Sequence, residues 1–319
     1  MLRRLVLLLL AISMALTSTS ARQQDQQQKQ EKQKAEPKTE KSDETITFDT
    51  DLVVLNLTIT DADDRYVSGL KMEDFKVFED KWQQKILSFT YDEKPFSVAI
   101  LLDASLSMEK KLTLARAACA NFVDGLRVGD TFAIYSFSGF KVKTLQDFTD
   151  IRDIPDAVWD MRAEGETPLY DAIVKAADAL TQRDERRRAI LVVSDGADTR
   201  SKASFDQAMR KVSDAQISVY VVDLSDAAVY RTQRSDNATA VMKEMAAKSG
   251  GKFFSAAGGG KLREAFENTV EELRQQYTLT YESSNDRYDG RWRAVEVQTT
   301  KPQLNIRTRQ GYYARKVKH

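Results

Sequence analysis

Histidine and cysteine are almost absent from this sequence of 319 residues. The single histidine, His319, stands at the last position, and the single cysteine is Cys119. A Ser-His-Asp triad, a Cys-His pair and a His-ligated zinc site each need a histidine inside the fold, so we exclude them. One cysteine also excludes a disulfide within the chain. Cys119 lies in an amphipathic segment and is predicted to be a buried small apolar side chain rather than a reactive thiol.

An apolar run from Leu5 to Leu16 follows Arg3 and Arg4, and small residues follow it up to Ala21. This order is typical of a secretory signal peptide, which we assign to residues 1–21. The run is shorter than the ~20 apolar residues of a membrane-spanning helix, so an uncleaved signal anchor is the less favoured alternative. We therefore expect a secreted or periplasmic protein, with membrane contact only through export or such an anchor.

Large apolar residues are missing from residues 22–44, which are rich in Gln, Lys and Glu. Such a segment cannot offset the entropy cost of ordering by burial, so we predict a disordered tether. Its six basic and six acidic residues cancel, as do the 48 basic and 48 acidic residues of the whole chain. This balance predicts no nucleic-acid partner. The basic stretch Arg183–Arg188 is accordingly interpreted as a charged connection before a strand.

Strand-like segments occur at both ends of the rest of the chain. Residues 45–93 contain Leu52–Thr60, whose alternating apolar residues predict a strand with one buried face, and two shorter strand-like pieces. Residues 276–319 contain three more, separated by turn signals. Because the first of these ends lacks a partner sheet of its own, we predict one small β domain built from both ends. Two unrelated β pieces are the alternative.

The middle of the chain, residues 95–275, alternates apolar strands with segments of helical spacing. Five strands are predicted here: Phe96–Asp103, Thr131–Ser138, Ala189–Ser194, Ile217–Val222 and Lys252–Phe254. This alternation predicts an α/β fold with a doubly wound, mostly parallel sheet flanked by helices. In such sheets, ligands bind in the crevice beyond the carboxyl ends of the strands.

Two of the predicted strands lead into a carboxylate. Asp103 ends the first buried strand and is followed by Ser105 and Ser107, while Asp195 follows the strand that ends at Ser194. Parallel strands bring such ends to one edge of the sheet. Because no histidine or thiolate is available there, the oxygen ligands suit Mg²⁺, Mn²⁺ or Ca²⁺ rather than zinc or copper.

Three segments, in this order, resemble the von Willebrand factor A domains, which share their fold with the integrin I domains. Asp103–Ser107 matches the family's D-x-S-x-S signature, Gly165–Ile173 resembles the loop that supplies its threonine, and Ser194–Asp198 resembles the segment with its later aspartate. The resemblance covers roughly residues 95–275, and the flanks look like those of exported bacterial proteins related to this family. It implies a complete metal-ion-dependent adhesion site with the ligands Asp103, Ser105, Ser107, Thr167 and Asp195.

The resemblance implies protein binding rather than catalysis. In the family, hydroxyls and carboxylates hold the ion and leave one coordination position for an acidic side chain of a partner. We therefore expect an adhesion module that uses Mg²⁺, with Mn²⁺ or Ca²⁺ as alternatives, to bind a protein that presents Asp or Glu. The alternative is a scaffold or assembly component of an envelope complex with a structural metal. A metal-dependent hydrolase is disfavoured, because Ser105 stands where the D-x-D phosphatase pattern needs a second acid.

Ordinary structural roles also suit some of these residues. Ser107 can cap a helix that begins near Met108, and Thr167 precedes Pro168 as an N-cap precedes a proline at the first helical position. A residue can be a cap and a metal ligand at once, so these roles leave the site intact. Asp198 is expected to support the ligands from outside or to face solvent.

Overall fold

The computed structural model describes residues 52–91, 94–225, 233–256 and 259–316 of the chain. The predicted signal peptide, the predicted tether and His319 lie outside these residues. Within them, the strands form one antiparallel and one mostly parallel sheet. Every helix in the described ranges is too short or too polar to cross a bilayer.

The central sheet comes from the middle of the chain, and the antiparallel sheet comes from the segments before and after it. In chain order they are β1 (Leu52–Thr60), β2 (Phe75–Glu79), β3 (Trp82–Tyr91), β4 (Phe96–Asp103), β5 (Thr131–Ser138), β6 (Lys141–Thr149), β7 (Arg187–Ser194), β8 (Ile217–Asp223), β9 (Phe253–Ser255), β10 (Tyr277–Glu282), β11 (Trp292–Thr299), β12 (Asn305–Arg307) and β13 (Gly311–Tyr313). Strands β4 to β9 form one sheet, and the strands before and after them form the other.

The central sheet has the strand order β6-β5-β4-β7-β8-β9. Strand β4 is parallel to both β5 and β7, and the edge strand β6 is antiparallel to β5. All eight residues of β4 are buried, since helices cover both faces of the sheet. The chain leaves β4 toward β5 and later returns to its other side at β7, so a crevice is expected at the carboxyl ends of this pair. The predicted doubly wound, mostly parallel fold is confirmed.

Helices pack on both faces of this sheet. They are α1 (Leu112–Asp124), α2 (Asp156–Trp159), α3 (Leu169–Thr181), α4 (Phe205–Asp214), α5 (Gln233–Ser249) and α6 (Gly259–Arg274). One apolar core joins the sheet to α1, α2 and α6, and a second joins its other face to α3, α4 and α5. Cys119 is fully buried in the first core, as predicted, and burial raises the pKa of its thiol to about 12.

The antiparallel sheet contains strands from both ends of the chain. Its order is β12-β1-β10-β3-β2-β11-β13. Strand β10 lies between β1 and β3, and β11 pairs with β2, so neither end forms the sheet alone. Alternate residues such as Leu55, Leu57 and Leu279 fill a core of its own. The prediction of one β domain from both ends is therefore confirmed.

Arg187 joins the two sheets at the end of α6. It is the first residue of β7 and is buried. Its guanidinium donates hydrogen bonds to the carbonyl oxygens of Leu273 (3.2 Å), Arg274 (3.1 Å) and Gln276 (2.6 Å). These oxygens lie at the end of a helix, where the last carbonyls lack partners within the helix. The antiparallel sheet is thus attached where β7 begins, at the edge of the central sheet opposite the carboxyl end of β7.

The structure differs from the sequence prediction at Arg183–Arg188. The stretch was predicted to be a charged connection before the strand, but Arg187 and Arg188 are already part of β7. The reason is that helix carbonyls from the far end of the chain accept the hydrogen bonds of Arg187. A second difference is β6, which was not predicted because its mostly polar residues lie at the sheet edge.

Candidate functional site

The carboxyl ends of β4 and β7 bring together the two predicted aspartates. Asp103 is the last residue of β4, and Asp195 follows Ser194 at the end of β7. The two strands are adjacent and parallel, so both carboxylates reach the same edge. The short 3₁₀ turn Leu106–Met108 follows β4 and keeps Ser105 and Ser107 beside them.

Asp103 lies at the buried bottom of this site. Its side chain is fully buried, and burial raises its pKa to about 6. Oδ1 accepts the backbone N–H of Ser105 at 2.8 Å, and Oδ2 accepts the hydroxyl of Ser194 at 2.6 Å. These hydrogen bonds favour the carboxylate but do not fully offset its lost hydration. An ionised Asp103 is therefore held in place at a cost in stability.

Ser107 and Lys111 both contact Asp195. The Ser107 hydroxyl donates to Asp195 Oδ1 at 2.6 Å and lies 3.1 Å from Ser105 Oγ. Lys111 Nζ donates to Asp195 Oδ2 at 2.8 Å, and these two side chains are only 20% and 4% exposed. Sequence analysis missed Lys111, because only the fold brings it to a residue 84 positions away. Its ammonium compensates the charge of Asp195.

Thr167 reaches the site through the loop that precedes α3. The backbone N–H of Glu164 donates to the Ala104 carbonyl at 2.8 Å, which joins this loop to the one after β4. Thr167 is buried. Its backbone N–H donates to the Thr199 hydroxyl, and its carbonyl accepts the Thr199 backbone N–H, both at 2.9 Å. In the described structure, the Thr167 hydroxyl makes no hydrogen bond with the other four predicted ligands. Those four are joined directly, whereas Thr167 is placed by its backbone.

Gly165 lets the loop before α3 approach the β5–β6 turn. Its φ is 64°, and a Cβ at this position would lie 2.8 Å from the Cα of Gly139. The backbone N–H of Gly139 also donates to the Glu166 carbonyl at 2.7 Å. A side chain at residue 165 would therefore separate the two loops and distort the site.

The predicted helix caps are wrong. Helix α3 begins at Leu169 with Pro168 at the N-cap position, and Thr167 lies one residue further out. The free N–H groups of its first turn are instead bound by the Asp198 carboxylate, at Tyr170, and by the Ser201 hydroxyl, at Asp171. Asp198 therefore has a structural role at the start of α3.

Ser107 does not cap a helix either. It lies inside the 3₁₀ turn, and α1 begins only at Leu112 with Lys111 at the N-cap position. The Ser107 hydroxyl is turned toward Asp195, as its hydrogen bond shows. Ser107 is therefore available to the site as a neutral oxygen ligand.

The donor set suits a hard divalent cation. It consists of two carboxylates and the hydroxyls of three residues, and oxygen is the donor that Mg²⁺, Mn²⁺ and Ca²⁺ prefer. No cluster of three or more His, Cys, Asp or Glu side chains with metal-binding geometry occurs in the described part of the chain. A cation here would therefore depend on the serine and threonine oxygens and on water. Asp103, Ser105, Ser107, Thr167 and Asp195 could hold it.

Exposed apolar side chains border this edge of the sheet. Leu106, between the two serines, is 62% exposed, and Phe140, in the β5–β6 turn, is 70% exposed. The Arg200 guanidinium lies over the Phe140 ring at 3.9 Å, and its Nε pairs with Glu166 at 3.2 Å. We call Leu106, Phe140 and Arg200 the rim. The rim combines exposed apolar area with a guanidinium whose charge is compensated by Glu166.

Comparison with known families identifies the domain that contains these residues. The model of the von Willebrand factor type A domain matches residues 97–268, which are more than half of the chain. The comparison with curated proteins found no significant match.

Several solved structures are similar to the chain at low identity. The PilB minor pilin from Streptococcus sanguinis is 13% identical, with a TM-score of 0.46, and the match covers 58% of this chain and 63% of the pilin. A von Willebrand factor type A protein from Catenulispora acidiphila is 12% identical, with a TM-score of 0.47 and coverage of 83% and 74%. The corresponding domain of the type V pili tip protein Mfa5 from Porphyromonas gingivalis is 14% identical, with a TM-score of 0.47 and coverage of 57% and 95%.

The family match covers the same part of the chain as the central sheet and its helices. Residues 97–268 begin in β4, whose last residue is Asp103, and end within α6. They include all five predicted ligands. The chain therefore belongs to the von Willebrand factor type A domain family.

Proposed function

We propose that this protein is an exported binding module that engages an acidic side chain of a partner protein through a divalent cation, with Mg²⁺ as the expected ion. The observation that carries the proposal is the convergence of Asp103, Ser105, Ser107 and Asp195, joined by hydrogen bonds at the carboxyl edge of the sheet. A cation held there would supply an electrophilic coordination position for the carboxylate of the partner.

The charges of the site favour an incoming carboxylate. Ser105, Ser107 and Thr167 offer neutral oxygens, and Lys111 offsets one of the two aspartate charges. A dication held by these residues keeps a net positive charge, so it still attracts Asp or Glu from outside. Ligation by several carboxylates would remove that attraction.

The proposed role is binding without turnover. Hydrolysis at such a site needs a general base or acid close to the reacting atoms. Asp103 accepts two hydrogen bonds and is fully buried, and Asp195 is paired with Lys111. These contacts support a role in which neither carboxylate exchanges protons with a substrate.

The rim indicates what should surround the acidic residue of the partner. Leu106 and Phe140 offer exposed apolar area beside the site, and the Arg200 guanidinium, which already pairs with Glu166, covers one face of the Phe140 ring. Apolar contacts of this kind contribute about 25 cal/mol per Å² of buried area. We therefore expect the partner segment to carry Asp or Glu next to an apolar residue.

Selection of random displayed peptides on the full chain in Mg²⁺ tests the proposal. Bound peptides should share one Asp or Glu next to an apolar residue. Their binding should be lost in EDTA and after Ser107→Ala, which removes a neutral ligand without adding charge. Phe140→Ser should weaken peptide binding roughly tenfold while metal affinity stays the same.

Two results of the selection would contradict the proposal. Peptides without a common acidic residue would exclude carboxylate recognition. Peptides that bind equally well in EDTA would favour a scaffold role in which the metal, if bound, is structural.

Lys111→Met should raise the affinity for Mg²⁺ about tenfold, equivalent to about 1.4 kcal/mol. Met keeps most of the side-chain length but removes the ammonium that pairs with Asp195 Oδ2. A cation then meets two uncompensated carboxylates instead of one. Calorimetric titration measures the change, and Lys110→Met at the exposed neighbouring position is the matched control. Equal affinities of the two variants would show that Lys111 does not act on the site.

A further inference from the structure

Arg309 is a cation for which the described residues provide no acceptor. In the described structure, no carboxylate lies within ion-pair distance of its guanidinium, and its Nε is buried without a hydrogen-bond partner. The guanidinium lies 5.4 Å from the centre of the Tyr312 ring. Burial lowers the pKa of Arg309, which reflects the cost of holding a desolvated cation. Buried guanidinium groups are normally paired, so the missing acceptor requires an explanation.

Arg309 lies in a cleft between α4 and the antiparallel sheet, away from the candidate metal site. The cleft has a volume of about 480 Å³ and is bordered by the end of α4 and by the segment around β13. A cleft of this size accommodates a small organic molecule. It is separate from the carboxyl edge of β4, because α4 ends at Asp214 just before β8 begins.

The charges that border the cleft are mostly positive. Arg210, Arg309, Arg315 and Lys316 line it, and Asp214 is the one acid among its described lining residues. Arg210 stacks on the Tyr313 ring at 3.9 Å and donates to the Gly290 carbonyl at 3.4 Å, without a carboxylate partner in the described structure. Arg210 and Arg309 therefore keep donors that the described part of the chain does not neutralise.

We propose that this cleft binds a small molecule through an oxyanion, a carboxylate or a phosphate group, which Arg309 and Arg210 recognise. The planar guanidinium of Arg309 would donate to two oxygens of the anion, the geometry in which arginine binds carboxylate and phosphate most strongly. The anion supplies the negative charge that the described part of the chain does not place beside Arg309. Because the cleft is bordered by α4 and by strands β1 and β13, a bound anion also stabilises the contact of α4 with the antiparallel sheet.

Thermal unfolding of the full chain tests this proposal. The probes are inorganic phosphate and malonate, each compared with chloride at the same ionic strength. Wild type should show a saturable rise in Tm of about 2–4 °C when the anion is roughly tenfold above its Kd. A response to phosphate alone or malonate alone identifies the type of oxyanion, and either supports the site.

Variants of the two arginines make the test specific. Arg309→Gln should raise Tm in chloride, because it removes an unpaired cation, and should abolish the response to the anion. Arg210→Gln, at an exposed position, should weaken anion binding several-fold without loss of folding, and Arg263→Gln on the exposed face of α6 is the control. The proposal is overturned if neither anion raises Tm above the chloride control, or if Arg309→Gln responds as wild type does.

Discussion

Asp103→Asn is expected to raise the free energy of unfolding of the metal-free protein at neutral pH by up to about 3 kcal/mol. The substitution replaces a buried carboxylate with a neutral group of the same shape. The Asn oxygen can still accept the Ser105 N–H, and its amide can donate to Ser194 Oγ. The same change should abolish metal binding, so stability and function move in opposite directions.

The sign of this effect follows from the pKa of Asp103. Burial raises that pKa from 3.8 to about 6. The folded state therefore holds a proton that the unfolded state releases, and the free energy of unfolding falls as pH rises from 3.8 to about 6. Above that range, wild type keeps the full cost of the buried charge. The Asn variant has no charge at this position and avoids the cost.

Urea unfolding with a chelator, at pH values on both sides of 6, measures the difference. The advantage of Asp103→Asn should be small in acid and grow as the pH rises through 6. Asp184→Asn, at an exposed loop position, is the matched control and should leave stability within about 0.5 kcal/mol. An Asp103→Asn variant less stable than wild type at every pH would show that the carboxylate serves the fold rather than a ligand.

Arg187→Leu is expected to lower the free energy of unfolding by about 3–5 kcal/mol. The substitution leaves the carbonyl oxygens of Leu273, Arg274 and Gln276 without the donor that they share. These oxygens lie where α6 passes into β10, so the loss also loosens the attachment of the antiparallel sheet. Each buried carbonyl left without a partner costs on the order of 1–3 kcal/mol.

Chemical unfolding of Arg187→Leu beside Arg186→Leu provides the comparison. Arg186 is exposed and directly precedes β7, so its replacement changes the same side chain without burial. We expect the control to stay within about 0.5 kcal/mol of wild type. A loss below about 1 kcal/mol for Arg187→Leu would mean that other donors replace the guanidinium.

The strands with the most regular patterns were the most predictable. The limits of β4 and β5 agree with the predicted Phe96–Asp103 and Thr131–Ser138, because each apolar run ends at a polar or turn residue. The alternation in β1 also predicted its buried face. In contrast, the pattern of β6 is weak, because an edge strand exposes one face and contributes little to the core.

The sequence predicted those residues of the candidate site that lie at the end of a strand or in the loop directly after it. Asp103, Ser105 and Ser107 come together because the chain keeps them adjacent after β4. The contact of Lys111 with Asp195 and the contacts of Arg187 with α6 depend on residues far apart in sequence. Charge alone gave no sign of them, since a lysine in a loop or an arginine in a basic stretch is usually solvated.

Calorimetric titration of Mg²⁺, Mn²⁺ and Ca²⁺ into the chelator-treated full chain tests the central claim most directly. Asp103→Asn and Asp195→Ala, each shown to be folded, are the variants for comparison. We predict saturable binding of one ion per chain by wild type, with no binding by either variant. A folded wild-type protein that binds none of the three ions, or variants that bind them as wild type does, would contradict the claim that these residues form a metal site.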